Sequence, residues 1–383
     1  MAYREVAVVG AGIGGLTAAV ALARQNVRCV VFERHPALPD DGAGIQISPN
    51  AAAELHELGL AAAFDTAVRP ACREIRRWRD NTLLGRTELG PVAERRYGAP
   101  YYTLRRTALT GALLDAVRRA HGPSAVRFSR RCAGVRDEGD RVTLGFDDGT
   151  TARADAVVGA DGLRSAVRGH FGHELPRFRG HVAGRAVLPM DAARPWAEPD
   201  RIVVWLGPGR HCVCYPIDRG RHLNLVITTP AARPPGRNTR ISGTDLLTRY
   251  AGWHPAVRGL LARAGRIDQR ALYDRPPMPG WHRGRVVLLG DAAHPMLPFL
   301  AQGAAQAIED AAALARCVHR PDGFARYEEL RQDRVRRVVE ASAAGLSVHH
   351  LPDGDEQRLR DRALAAAPRD VLDWLYSARR CGS

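Results

Sequence analysis

Two side chains capable of proton transfer, His211 and Tyr215, stand four residues apart in the run 211–217. If that run is a strand, the spacing puts both on one face. A histidine titrates near neutrality and suits a general base, and a tyrosine can hold or relay a proton. A solvent-facing strand histidine beside a core tyrosine would show the same pattern, so the pair alone does not fix a role. A second set of residues is Gly290-Asp291-Ala292-Ala293-His294-Pro295, running on through Pro298 and Gln302-Gly303 to Ile308-Glu309-Asp310. Asp291 offers an acceptor for a hydroxyl. A helix opening near Gly303 would turn unpaired N–H groups and its positive dipole end toward whatever lies in the loop. A purely structural strand–helix unit would read alike.

The elements around these residues restrict the alternatives. The apolar run 286–289 reads as a buried strand, and the alanine-rich stretch after Gly303 reads as a helix. At the other end of the chain, Val6 to Val9 leads into Gly10-Ala11-Gly12-Ile13-Gly14-Gly15, then a helical stretch and a second strand, Arg28 to Phe32, that ends at Glu33. This is a G-x-G-x-x-G in the context a dinucleotide site requires, with an acid 18 positions beyond Gly15 (33 minus 15). Gly10, Gly12 and Gly15 allow the tight turn and the approach of a pyrophosphate. Glu33 would accept from ribose hydroxyls, with Arg34 beside the adenosine. A third element, Ala156 to Val158 followed by Gly159-Ala160-Asp161-Gly162, leads into a basic turn ending at Arg168.

With 383 residues, 45% of them hydrophobic, the chain can bury a large core in one large or two moderate domains. No apolar run reaches the length of a bilayer span, and the N-terminus enters a strand directly, so a cytoplasmic protein is expected. The seven cysteines (Cys29, Cys72, Cys132, Cys212, Cys214, Cys317, Cys381) are scattered, odd in number and without metal-ligand spacing. They read as reduced, mostly buried thiols, with no metal site. The net charge is +15, and all 56 basic residues are arginine. They are spread rather than clustered, which disfavours a nucleic-acid partner and leaves steering of anionic ligands. The absence of lysine excludes a Schiff base or a P-loop lysine.

Strands and helices alternate to about residue 66, while 176–275 is strand-rich with Gly/Pro/Asp turns. The expected class is therefore α/β. A Rossmann-like dinucleotide domain (1–70, 101–175 and 276–320) interleaves with a mostly antiparallel β-sheet substrate domain (71–100 and 176–275), and C-terminal helices follow (321–383). Leu246 to Leu261 reads as one helix, and further helices are expected over 327–346, 356–367 and 371–378.

The three motifs at Gly10, Asp161-Gly162 and Gly290-Asp291 occur in the order seen in the single-component FAD monooxygenases typified by para-hydroxybenzoate and salicylate hydroxylase. The chain resembles that family over residues 4 to 345. Pro298-x-x-x-Gln302-Gly303 and His211-x-x-x-Tyr215-Pro216 are most similar to its salicylate, 3-hydroxybenzoate and 6-hydroxynicotinate hydroxylase branch. The absence of lysine argues against the related flavin halogenases. The resemblance implies that NADH or NADPH reduces FAD, that O₂ adds to give a flavin C4a-hydroperoxide, and that this species hydroxylates a small aromatic acid or phenol. It implies His211 and Tyr215 as the catalytic pair for the phenolic proton. It places Arg106 at the ribityl-phosphate region, Asp161 near the pyrophosphate and nicotinamide path, Asp291 on the ribityl chain, and Pro298 and Gly303 against the flavin. Relatives carry an acid two positions after that arginine, where this chain has Ala108. Gln46, Pro298 and Gln302 would line the substrate pocket, and His294 would shape the loop. No particular arginine is singled out for a substrate carboxylate. The ring, the position hydroxylated and loss of CO₂ stay open, and a homodimer is compatible. The alternatives are a monooxygenase for a larger natural-product ring, by hydroxylation or epoxidation, and a flavin-binding protein without hydroxylase activity.

Overall fold

A computed structural model describes residues 3–39, 43–172, 174–236, 239–368 and 370–377; Cys381 and Ala378 lie outside them. The chain is α/β. Its first sheet takes the order His282–Arg283, Val286–Leu288, Ala156–Gly159, Glu5–Val9, Arg28–Phe32, Val126–Arg127. The five strands from Val286–Leu288 onward pair in parallel, and only His282–Arg283 runs antiparallel at one edge. Parallel strands covered on both faces are apolar throughout, as Val6 to Val9 and Val286 to Leu288 are; all seven are buried, and Phe146 from the small antiparallel sheet packs on Phe32. Glu5–Val9 lies between two neighbours whose connections leave in opposite directions, and the crevice at that reversal is where α/β sheets take ligands.

The larger sheet has eight strands in the order Arg240–Ser242, Arg266–Asp274, Arg177–Pro189, His222–Pro230, Arg210–Ile217, Arg201–Gly207, Cys72–Arg77, Leu83–Glu88. All pairs are antiparallel except Arg201–Gly207 with Cys72–Arg77. Side-chain alternation divides it. On one face Cys212, Cys214, Leu225 and Ile227 join a core with Trp205, Tyr250 and Trp253. On the other, His211, Val213, Tyr215, Val226 and Thr228 face a cavity. Cys212 and Cys214 do share a face, as their spacing predicts, but it is the core face. The six described cysteines are buried and free.

The helix expected over 246–261 is two helices, Gly243–Leu247 and Pro255–Arg263. Gly252 takes φ +76° between them and Pro255 starts the second, a position that proline favours because its missing N–H is not needed there. Gly303–Cys317 is helical, followed by the 26-residue helix Gly323–Val348 and by Asp355–Ala365. The region 71–100 also holds a helix not expected from sequence, Gly90–Tyr97. Among the described residues no helix is long and apolar enough to cross a membrane.

Candidate active site

The C-terminal ends of Glu5–Val9, Arg28–Phe32 and Ala156–Gly159 open into a cavity of about 920 Å³ lined by Gly10, Gly12, Glu33, Arg34, Arg106 and Asp161. The glycines have separate reasons to be there. Gly10 takes φ +106°, and a Cβ would stand 2.5 Å from the Ala160 carbonyl oxygen. At Gly15 a Cβ would stand 2.0 Å from the Gly10 oxygen, so the turn closes on itself. At Gly12 a Cβ would meet nothing within 4 Å; the vacant direction is the cavity. Gly12 is also the N-cap of helix Ile13–Ala23, and no side chain caps that helix. Its first-turn N–H groups are therefore available to an anion. Among the described residues, seven arginines against two carboxylates line this cavity, an excess suited to a pyrophosphate. The residues present fit a dinucleotide.

Glu33 is buried, and its carboxylate accepts from the backbone N–H of Ala11 at 2.9 Å and of His35 at 2.9 Å. It locks the glycine loop to the strand end while lining the cavity. Asp161 caps the turn that follows it: its oxygens accept from Ser165 Oγ at 2.5 Å, Ala166 N–H at 2.7 Å and Val167 N–H at 3.2 Å. Its carboxylate is thus the organiser of a turn, and burial raises it above the usual range. Arg34 lines the larger cavity alone, and Arg106 lines both it and its neighbour.

That neighbour is a cavity of about 370 Å³. Its floor is the large sheet: His211, Val213, Tyr215, Val226, Thr228 and Arg185. Its rim includes Gln46, Asp291, Met296, Pro298, Ala301 and Gly303. The register explains the floor, because His211 pairs with Thr228 and Tyr215 with Asn224 on the adjacent strand. His211 is 5% exposed. Its Nδ1 is 2.8 Å from His350 Nε2, and its Nε2 is 3.3 Å from Thr228 Oγ1. Burial, with the neighbouring histidines, pushes its pKa well below the usual value, so the ring is neutral at pH 7. Burial pushes the Tyr215 hydroxyl well up, with Arg185, Asn224 and Gln46 acting in the opposite sense. Tyr215 therefore stays protonated. The Gln46 carbonyl accepts the Tyr101 hydroxyl at 2.8 Å. Asp291 lines the cavity, and its carboxyl is raised by the surrounding protein mass against the pull of His294 and Arg106.

The loop after Asp291 rests on a buried polar network. His294 Nε2 donates to Asp310 Oδ2 at 2.6 Å, the Gly290 N–H donates to the same oxygen at 2.9 Å, and Arg331 Nε donates to Asp310 Oδ1 at 2.8 Å. Burial alone would raise the Asp310 carboxyl, but His294 and Arg331 hold it at about 2. His294 thus anchors the loop. Gln302 departs from the expectation that it would reach substrate or flavin. It is 1% exposed, its amide donates to Ser48 Oγ at 2.8 Å and its carbonyl accepts from Asn50 and Gln306 at 3.2 Å, beneath the loop. Pro298 opens a single turn that ends at Ala301 with φ +53°, a left-handed conformation that costs a non-glycine residue roughly 1–3 kcal/mol and clusters at functional loops.

An FAD binding domain family matches residues 3–342. The chain belongs to the single-component FAD-dependent aromatic hydroxylases. This hydroxylase is 43% identical over 381 residues to 3-amino-4-hydroxybenzoate 2-monooxygenase of Streptomyces platensis, covering 97% of this chain and 95% of that one. It is 36% identical over 350 residues to 6-hydroxynicotinate 3-monooxygenase of Pseudomonas fluorescens, covering 88% and 90%. Among solved structures it is similar to Klebsiella pneumoniae HpxO complexed with FAD and uric acid, with a TM-score of 0.85, 28% identity, and coverage of 94% and 92%.

Sequence reasoning misses three groups in the hydroxylase cavity and beside it. Arg185 sits mid-strand in Arg177–Pro189 and faces both cavities; a charge inside an otherwise apolar run (Val182 to Leu188) is its signal. Asn224 is the cross-strand partner of Tyr215, and its carbonyl also accepts the Gly44 N–H at 2.7 Å. His350 comes from just past the long C-terminal helix, and nothing local marks it as a neighbour of His211.

Proposed function

We propose that this hydroxylase acts on a small aromatic carboxylic acid carrying a phenol, of which 3-amino-4-hydroxybenzoate, the compound named for its Streptomyces relatives, is the first candidate. The observation that carries the reading is the convergence of His211, Tyr215 and Arg185 on one 370 Å³ cavity. That volume is near the lower end of ligand pockets, roughly 300–1,000 Å³, and it favours one ring over a large natural product. Bound FAD, reduced by NADH or NADPH, would supply the oxygen-activating chemistry, and Pro298 and Gly303 on the cavity rim are the residues that would meet it. The remaining work belongs to the chain. Arg185 pairs with the substrate carboxylate, the bidentate geometry guanidinium groups favour. His211, neutral and with Nε2 toward the cavity, takes the phenolic proton. Tyr215 stays protonated and donates a hydrogen bond to the developing phenolate. Gly10, Gly12, Gly15, Glu33 and Arg106 hold the cofactor in the larger cavity, with Asp291 at the ribityl chain. In this reading 1–70, 101–175 and 276–320 form the FAD domain and 71–100 with 176–275 form the substrate domain. The buried free thiols suit a reducing compartment, and we place the enzyme in the cytoplasm.

The test is a panel of phenolic acids. NADH and NADPH oxidation is followed on the purified yellow protein, with product mass read in parallel. Stimulated oxidation with a product gaining one oxygen is expected for at least one acid. His211→Ala should keep FAD and lose about 10²-fold or more in turnover. A protein without flavin, or no product from any acid, refutes the reading.

A further inference from the structure

Tyr215 is set from behind the cavity wall, by side chains that do not line the cavity themselves. Gln46 stands on the strand Gly44–Ile47, which pairs antiparallel with Tyr102–Arg105, and it reaches the cavity. A glutamine amide has an acceptor end and a donor end, and its partners decide which way round it sits. Tyr101, buried just before Tyr102–Arg105, donates its hydroxyl to Gln46 Oε1 at 2.8 Å. Burial holds that hydroxyl well above the usual tyrosine value, so it keeps a proton to give. With Oε1 taken, the amino end of Gln46 is the end left for Tyr215, and it lowers the Tyr215 hydroxyl as a donor does. A Tyr215 oxygen that receives a hydrogen bond from behind keeps its own O–H for the substrate.

Tyr101 is itself held in place. Its ring meets Tyr376 edge-on at 5.8 Å between centroids, and Tyr97 meets Tyr376 at 5.6 Å. Tyr376 ends the single turn Asp373–Tyr376, which is too short to be stable by itself. Asp373 accepts from Arg96 at 2.6 Å and from the Tyr97 hydroxyl at 2.8 Å. Arg334, on the helix Gly323–Val348, donates to the carbonyls of Trp374 and Leu375 at 2.7 and 2.8 Å. The same guanidinium binds Glu309 at 2.7 Å, and Glu309 accepts the Asn50 amide at 2.5 Å. One arginine thus fixes both the backing of Tyr101 and the chain four residues beyond Gln46. The Tyr101 ring lies in an apolar cluster with Leu89, Ile202 and Leu375. Phenylalanine would pack there as well, whereas a buried hydroxyl has to be matched; what matches it is Gln46.

We propose that Tyr101 is a positioning residue for the hydroxylation: it holds the acceptor end of Gln46, which directs the donor end to Tyr215 and leaves the Tyr215 proton for the substrate. This rests on Tyr215 as the donor to the phenolate. Without the Tyr101 hydroxyl the amide is free to turn over. Its Oε1 then accepts the Tyr215 O–H, and the substrate loses that donor. The two arrangements differ by one amide rotation, and Tyr101 selects between them.

The test is a double-mutant cycle in the FAD-loaded enzyme, with 3-amino-4-hydroxybenzoate as probe and product counted per turnover. Tyr101→Phe should keep wild-type FAD content and probe affinity within about threefold, while turnover falls about 3- to 10-fold. Adding Tyr101→Phe to Tyr215→Phe should cost less than about twofold more, because the group it positions is gone. Wild-type turnover in Tyr101→Phe, or losses that multiply in the double variant as a general disturbance of the pocket would make them, overturns the proposal. If Tyr101→Phe does not retain FAD, Gln46→Leu with and without Tyr101→Phe decides, since removing both partners leaves no buried polar atom unmatched. Equal turnover in those two variants supports the positioning, and a further loss from Tyr101→Phe overturns it. Wild-type turnover in Tyr215→Phe defeats the donor role itself, whereas slow Tyr215→Phe beside fast Tyr101→Phe defeats only the positioning.

Discussion

Gly12→Ala separates cofactor binding from folding, because the three motif glycines differ in what a methyl would meet. At Gly15 the added carbon would overlap the Gly10 carbonyl oxygen at 2.0 Å, and at Gly10 it would meet both Ala160 and a positive φ; either substitution damages the fold. At Gly12 it would meet no protein atom within 4 Å, and the backbone is at φ −75°, ψ 179°, which alanine adopts freely. The apoprotein should lose only the preference of an N-cap for glycine over alanine, about 1 kcal/mol at most. The methyl would instead stand where a pyrophosphate must meet the first-turn N–H groups. Forcing an extra methyl into a close-packed contact costs about 1–3 kcal/mol, which is roughly 5- to 150-fold in Kd. The assay is titration of apoprotein with FAD by quenching of flavin fluorescence, beside thermal melting of both apoproteins. The expected result is matching apo melting temperatures and a Kd raised within that range. A Kd within twofold of wild type would refute the placement of the pyrophosphate over Gly12. A collapse of the apoprotein would refute the claim that this direction is open.

Arg185→Gln should raise KM for a phenolic acid about 10- to 100-fold while changing KM little for the matching phenol without a carboxyl, since a charged hydrogen-bonded pair contributes about 1.5–3 kcal/mol; steady-state kinetics on the two compounds decide. Tyr215→Phe should lower turnover about 3- to 10-fold, in line with one lost hydrogen bond. It should leave the basic limb of the pH–rate profile in place, because the buried hydroxyl does not ionise in the assay range; a limb that moves would show that Tyr215 titrates. Asp310 is depressed in the folded state to about 2 from an ordinary 3.8, so its contribution is present above about pH 4 and is lost as pH falls toward 2. Each tenfold change in proton affinity is worth roughly 1.4 kcal/mol, which makes this contribution about 2 kcal/mol. Asp310→Asn should therefore flatten the acid limb of urea stability measured between pH 5 and 2.5.

What can be read from sequence follows the range over which each signal acts. The glycine loop, the strand ends and the shared face of His211 and Tyr215 are local patterns, set by backbone period and by turn chemistry within a few residues. The direction of Gln302 is not local, because periodicity cannot say which way an N-cap side chain turns; Ser48 and Asn50, some 250 residues earlier in the chain, make that choice. Asp161 has a local explanation as a cap, and the structure shows its carboxylate used in that way. The split of 246–261 is written in Gly252 and Pro255, whose punctuation is a stronger signal than the apolar spacing around it. Arg185 and His350 are hidden for different reasons. Arg185 needs a sheet register to become a cavity wall, and His350 needs the C-terminal helix to fold back beneath the sheet.

The strand Arg210–Ile217 carries chemistry on one side and structural core on the other. Val213 stands between His211 and Tyr215 on the cavity side, while Cys212 and Cys214 face Trp205 and Tyr250 behind it. Substrate fit and fold stability are thus assigned to alternate residues of a single strand. An exchange at Val213 can reshape the binding cavity without redesigning the packing behind it, so this strand offers a route to altered ring preference with little loss of robustness.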